Sequence, residues 1–261
     1  MRYEEFPPPP ALRDFVRCAW VFEAPGSADA PAQRIVPDGR CELVVHLGDA
    51  FVESDGHGHE TVQPRVLFAG QLSRPLWLRA TGRAHVAAFR FHPAGARRFF
   101  GAPLGEATDR RVPFEESLAR RVAAVSGDGE QLGTIAAFVR DRIACNPGDD
   151  EVIARCASWL EREQGRVSID ALVESTGLSR RQLERRFRDV VGLSPRLFAN
   201  VLRLRSVFDA LEANPGAGWT DAALAAGYFD HSHLIRDFRR FVGCTPAQFV
   251  ASATGLEAAL V

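Results

Sequence analysis

Lysine is absent from this chain: all 32 basic residues are arginine. Set against 33 acids, they leave a formal net charge of −1. No bulk basicity therefore draws the protein to nucleic acid or to anionic membranes. No apolar run approaches the ~18 residues of a membrane-spanning helix. The N-terminal stretch MRYEEFPPPP has no apolar core of a secretory signal. A soluble, cytoplasmic protein is the expectation. Cysteine is sparse and scattered, at Cys18, Cys41, Cys145, Cys156 and Cys244, with an odd count and no C-x-x-C pair. That pattern argues against a disulfide framework and a four-cysteine zinc site, and favours reduced, buried small side chains. G-x-S-x-G, P-loop and G-x-G-x-x-G motifs are missing, and no carboxylate pair suggests acid–base work. The reading expects no enzyme, no cofactor and no metal.

What is present divides the chain. Its 261 residues are 46% hydrophobic, ordinary globular usage for one or two domains. Residues 1–150 carry 18 Arg against 20 acids, and residues 151–250 carry 14 Arg against 12 acids. Apolar runs at 18–22, 41–47, 66–68, 76–79 and 84–91 are punctuated by glycine and proline, as in a small barrel or sandwich. Short helices are expected over 94–100 and 114–125, the second with Phe114, Leu118, Val122 and Val125 on one face. Turn-rich stretches at 126–130 and 146–150 bracket a helix over 132–143. Beyond residue 151 the pattern is helical. The fold class expected is α+β with two domains: a β-rich sensor or dimerisation domain over 1–125 and an all-helical domain over 151–252. A helical linker over 126–150 joins them, and each domain is expected to fold separately.

The strongest signal is an internal repeat. At an offset of 51, Leu183, Arg185, Phe187, Arg188, Val191, Gly192, Pro195 and Phe198 meet Leu234, Arg236, Phe238, Arg239, Val242, Gly243, Pro246 and Phe249. Ser194 meets Thr245, while the turn glycines Gly177 and Gly227 match at offset 50. The second turn is therefore one residue longer. Each copy reads as helix, glycine turn, helix. Ser168, Ser179, Thr220 and Asp230 are the expected N-caps, with Gln182 completing a capping box on Ser179. Ser194-Pro195 and Thr245-Pro246 each start a further helix.

At ~100° per residue, Leu183, Phe187 and Val190 fall on one side of the first repeated helix. Arg181, Arg185 and Arg188 fall opposite. In the second, Leu234, Phe238 and Phe241 oppose Ser232, Arg236 and Arg239. A solvated charged face is ordinary for one helix. Its recurrence behind a glycine turn and an N-cap fits recognition helices that read a DNA groove. Between the copies, residues 195–214 fit one helix of ~27 Å, long enough to hold two such helices about one DNA turn apart.

Residues 151–251 resemble the C-terminal DNA-binding domain of the AraC/XylS family of bacterial transcription regulators. The match is densest from Ala223 through Gly227-Tyr228-Phe229-Asp230 to Gly243-Cys244-Thr245-Pro246-Ala247-Gln248-Phe249. The resemblance implies seven helices, two helix-turn-helix units and binding in successive major grooves. By position it makes Arg181, Gln182, Arg185, His231, Ser232 and Arg236 base-contacting. Arg188 and Arg239, further along each helix where the groove wall is closer than the bases, are expected to contact phosphate, with Arg240 beside them. The resemblance makes double-stranded DNA the partner, with RNA polymerase, a small-molecule effector and a second copy of the chain as further partners. Ile235 departs from the polar residues common at that position. Val36-Pro37-Asp38-Gly39, Ala69-Gly70, FHPAGARRFFG at 91–101 and Thr108-Asp109-Arg110 resemble the N-terminal domain of a subgroup of these regulators.

One further pattern is His57-Gly58-His59-Glu60, which has the look of a cupin metal fragment, with His85 or His92 as a third ligand. Its glycine-rich setting reads as an exposed hairpin tip. The competing function class is a DNA-targeted enzyme or repair protein using an N-terminal cysteine, Cys18 or Cys41, or a metal site.

Overall fold

The computed structural model describes residues 1–26, 31–56, 58–146, 148, 150–214 and 218–251, without the side chain of His231. Two antiparallel sheets are built from β1 (Arg2–Phe6), β2 (Val16–Ala24), β3 (Gln33–Ile35), β4 (Glu42–His46), β5 (Phe51–Ser54), β6 (Glu60–Val62), β7 (Val66–Ala69), β8 (Leu76–Ala80), β9 (Ala84–Phe91) and β10 (Arg111–Pro113). The first sheet runs β1-β2-β9-β4-β7-β10 and the second β3-β8-β5-β6. The strands face each other as two open sheets, so the sandwich expectation holds and the barrel is not closed.

Strand alternation sorts the first sheet's side chains between two layers. Ala19, Val21, Leu43, Val45, Val66, Phe68, Ala87 and Phe89 enter one core. Their neighbours Trp20, Phe22, Val44, Leu67, Val86 and Ala88 cluster apart from them, with Phe51 of the second sheet.

Three helices cover the first core: α1 (Ala96–Phe100), α2 (Ser117–Ala123) and α3 (Asp128–Cys145). Gly101 at φ 81° closes α1. The second expected helix starts three residues later than the spacing suggests. Phe114 N–H donates to the Val66 carbonyl (2.9 Å), extending the sheet, and its ring stacks on Phe99 at 5.2 Å. The expected linker is helical, but it is not a free connector. Leu132, Ile135, Phe138, Val139 and Ile143 are buried in the N-terminal core. Arg98 donates to the Ile143 and Asn146 carbonyls (3.0 Å each), holding the end of α3.

The C-terminal part comprises α4 (Glu151–Arg162), α5 (Ile169–Thr176), α6 (Arg180–Val191), α7 (Pro195–Ala213), α8 (Trp219–Ala225), α9 (His231–Val242) and α10 (Pro246–Ala251). These are seven helices among the described residues. They share one core, which Val36 of the N-terminal part joins. Beside Val36, Arg40 bridges to Glu161 of α4 at 2.6 Å. A Cβ built on Gly39 would lie 2.9 Å from the Phe198 ring.

Candidate nucleic-acid interface

The local chemistry of the repeat fixes its two helix-turn-helix units. Ser168 Oγ accepts from the Ala171 N–H, and Gly177 at φ 65° closes α5. Ser179 and Gln182 form the full capping box at the start of α6. In the second unit Asp230 accepts from the His233 N–H (2.7 Å), and Gly227 turns at φ 83°. Thr220 is not the cap of α8: the N-cap is Gly218, and Thr220 sits inside the helix. Burial explains the earlier start. Trp219 drops its indole edge-on against Phe238 (5.2 Å) and Phe208 (6.1 Å), which draws Trp219 into the helix. Ser194-Pro195 starts α7, and Thr245 with Gln248 caps α10.

The faces fall as the spacing predicts. Leu183, Phe187, Val190, Leu234, Phe238 and Phe241 are buried. Arg181, Gln182, Arg185, Arg188, Ser232, Arg236, Arg239 and Arg240 are exposed. His231 opens α9, but its side chain lies outside the described residues. Gln182 is not free for a two-point adenine contact in this geometry, because Oε1 accepts from Ser179 N–H (2.9 Å) and Oγ–H (2.8 Å). Two other arginines of α6 are engaged in ion pairs within the chain. Arg180 pairs with Asp170, and Arg186 grips Asp150, the N-cap of α4, at 2.6 and 2.8 Å. Arg186 and the backbone of α4 hold the Asp150 carboxyl below its usual range despite partial burial.

Phe229 was not singled out by the sequence. It is 91% exposed at the mouth of α9. With the turn glycines paired, Leu178, which packs on the core, matches the buried Tyr228, and Phe229 is the extra residue of the longer second turn.

A buried polar group sits beneath α9. Asp237 is 4% exposed, accepts from Tyr228 Oη (3.3 Å) and lies 3.8 Å from His233 Nε2. Burial raises its pKa, against the pull of His233, Tyr228, Arg203 and Arg240. A raised folded-state pKa favours folding at low pH and loses that contribution as pH climbs through it. Asp237→Asn keeps the Tyr228 hydrogen bond and removes the buried charge. It should stabilise the protein at pH 7 by about 1 kcal/mol, with the gain shrinking toward pH 4. Urea denaturation at the two pH values measures this, and a gain that grows at low pH would contradict it.

The N-terminal part holds the far end of each repeated helix. Gly192 closes α6 at φ 94°, and a Cβ there would lie 3.1 Å from Gln71 Cγ. Thr108 Oγ1 donates to the Gly192 carbonyl at 2.5 Å. Gly243 closes α9 at φ 82°, and a Cβ there would lie 3.3 Å from Pro75 and 3.4 Å from Trp77. Arg34 donates to Cys244 Sγ (3.2 Å) and lies over the Trp77 and Phe249 rings. The segment 71–77 thus touches equivalent glycines of both copies. Arg180, Arg181 and Gln182 in the first turn of α6 and Ser232 in that of α9 are exposed. The stem of Arg188 lies beside the N-terminal part: a Cβ on Gly105 would lie 3.0 Å from its Cγ.

Residues 172–252 match the family described as "Helix-turn-helix domain", and residues 4–113 match "Domain of unknown function (DUF6597)". The C-terminal segment is a helix-turn-helix domain of the AraC type. Over 90 residues this chain is 32% identical to the HTH-type transcriptional regulator MtrA of Neisseria gonorrhoeae, covering 34% of this chain and 30% of MtrA. It is 34% identical over 90 residues to the HTH-type transcriptional activator RhaS of Escherichia coli (strain SE11), covering 34% of this chain and 32% of RhaS. The chain spans less than a third of the length of these curated relatives. ToxT from Vibrio cholerae shares the fold across 93% of this chain and 98% of its own, with a TM-score of 0.52 and 8% identity. The two-part architecture, a β-rich domain followed by an AraC-type helical domain, is that of ToxT.

The features that favoured other chemistry sit elsewhere. His57 lies outside the described residues, and His59 pairs with Asp55 at 3.1 Å on the surface. Among the described residues no three His, Cys, Asp or Glu side chains are grouped to hold a metal. Burial pushes the Cys18 thiol up to about 11 and raises Cys41 further, which disfavours the thiolate a nucleophile needs.

Proposed function

We propose that this chain is a sequence-specific DNA-binding transcriptional regulator, without enzymatic activity, that reads two successive major grooves with α6 and α9. The observation that carries the reading is the duplicated unit: each recognition helix buries its apolar face and leaves an arginine face open. Arg181, Arg185, Ser232 and Arg236 are the base-reading residues, with His231 and the amide nitrogen of Gln182 beside them. Arg188, Arg239 and Arg240 meet phosphate. The name of the relative RhaS supports RNA polymerase as the protein partner. The cytoplasm is the compartment proposed for it.

The N-terminal part is proposed as the effector and self-association module. Its contacts at Gly192 and Gly243 give it a physical route to both reading helices. A homodimer would set two such domains on paired sites.

Selection of genomic fragments by the full chain, followed by footprinting, tests this reading. Two protected half-sites about 10–11 base pairs apart are expected. No enriched motif, or a single half-site, would refute it. Arg239→Ala should lower affinity evenly across sequences and reduce the salt slope by about one unit. A changed base preference at constant slope would remove Arg239 from the phosphate role.

A further inference from the structure

The two turns of the repeat differ by one residue, and the structure shows where that residue goes. In the first unit Gly177 closes α5, Leu178 packs on the core and Ser179 caps α6. In the second, Gly227 N–H donates to the Leu224 carbonyl and Tyr228 N–H to the Ala223 carbonyl (3.0 Å each), the paired bonds of a Schellman ending. Tyr228 then takes the inward place that Leu178 holds in the first copy. It is buried, with its hydroxyl 3.3 Å from Asp237 Oδ2 and its ring edge-on to His233 at 5.0 Å. The Arg203 guanidinium lies over that ring, 5.7 Å from its centre.

Phe229 follows as the extra residue, directly before Asp230, the N-cap of α9. An apolar side chain at that position commonly packs back on the fourth helical residue, here Leu234. Leu234 is buried but Phe229 is 91% exposed, so no such staple forms. The ring adds nothing to the core, and its full contact with water is unfavourable.

That ring stands at one particular end of α9. Ser232, three residues on, is exposed, and so is Arg236, one turn beyond it. This is the end that a recognition helix presents to base edges. Most of what a base edge shows in the major groove is a donor or an acceptor, and the apolar feature is the thymine methyl. A phenyl ring carries neither charge nor donor, so it has nothing to offer a phosphate oxygen.

We propose that Phe229 is a specificity-determining residue whose ring covers a thymine methyl in the half-site read by α9. This rests on the reading of α9 as a recognition helix and adds an apolar contact to its polar ones. The turn before α6 lacks the residue, so the other half-site has no equivalent requirement. The two half-sites are read unequally although the helices that read them are copies.

The test uses the full-length protein and the selected DNA. Each thymine of the site is replaced in turn by deoxyuridine, which removes only the C5 methyl. The unmodified protein should lose about fourfold in affinity at one thymine of the α9 half-site, as expected for one buried methyl group. Phe229→Ala should bind the unmodified site at least about fourfold weaker and lose the preference for thymine over uracil at that position. Its salt slope and melting temperature should not change, because the side chain is uncharged and exposed. Phe229→Leu, which stays apolar, should retain part of the preference. Arg236→Ala, measured alongside, separates the two readings. A loss with Arg236→Ala but none with Phe229→Ala overturns the methyl contact and turns the ring toward a protein partner, with α9 still a recognition helix. No loss with either variant overturns the recognition-helix reading itself. A selected α9 half-site without thymine, or a thymine preference that survives Phe229→Ala undiminished, also overturns the proposal.

Discussion

Arg185→Ala and Arg236→Ala should each weaken binding to the selected DNA by about 1–3 kcal/mol and relax base preference at one position per half-site. Each arginine stands on the exposed face of its helix, in the second turn from the N-cap, at equivalent positions of the repeat. Among the described residues neither is tied into an ion pair, unlike Arg180 and Arg186 on α6, which hold Asp170 and Asp150. The double substitution should lose roughly the sum, since the two helices would contact separate grooves. Binding titrations against the selected site and against random duplex separate the possibilities. Equal losses on both duplexes would show that the two side chains hold phosphate and read no base.

Phe208→Ala should cost about 3–5 kcal/mol of stability. Phe208 is 1% exposed in the middle of α7. Its ring lies 5.7 Å from Phe238, 5.8 Å from Phe249 and 6.1 Å from Trp219. These partners come from α8, α9 and α10, so the second helix-turn-helix unit is assembled around this one side chain. Removing it leaves a hole that four helices would have to collapse to fill. Chemical denaturation measures the loss. A value under ~1 kcal/mol would mean that the aromatic cluster closes without Phe208. Contact with the second half-site should fade before contact with the first, because α6 packs on α7 through Phe187 and Phe198 instead.

The helical half was legible because its signals are local. Ser179 and Gln182 are three residues apart, Leu183 and Phe187 four, and each relation is complete within one or two turns. The same holds for strand alternation in β4, where Leu43, Val44 and Val45 take opposite sides in turn. What escaped the sequence depends on distant partners. The turn-rich stretches around α3 showed a helix, but not that its Phe138 meets the Phe99 ring and that its inner side closes the N-terminal core. Thr220 looked like a cap until the burial of Trp219 moved the helix start. Phe229 is the extra residue of the second, longer turn, so the repeat offers it no counterpart from which its exposure could be read.

The burial of Val36 among the helices of the other half bears on how the molecule comes apart. A composition change separates the two halves along the chain, yet Val36, Gly39 and Arg40 lie against Phe198 and Glu161 across that divide. The boundary visible in the sequence is therefore not a weak seam in energy. Heating should melt the β-rich and helical parts in one calorimetric transition, with the van't Hoff enthalpy close to the calorimetric one. Two resolved peaks would show that the halves melt independently. Cooperativity of this kind lets a small change in one half alter the stability of the other without any hinge between them.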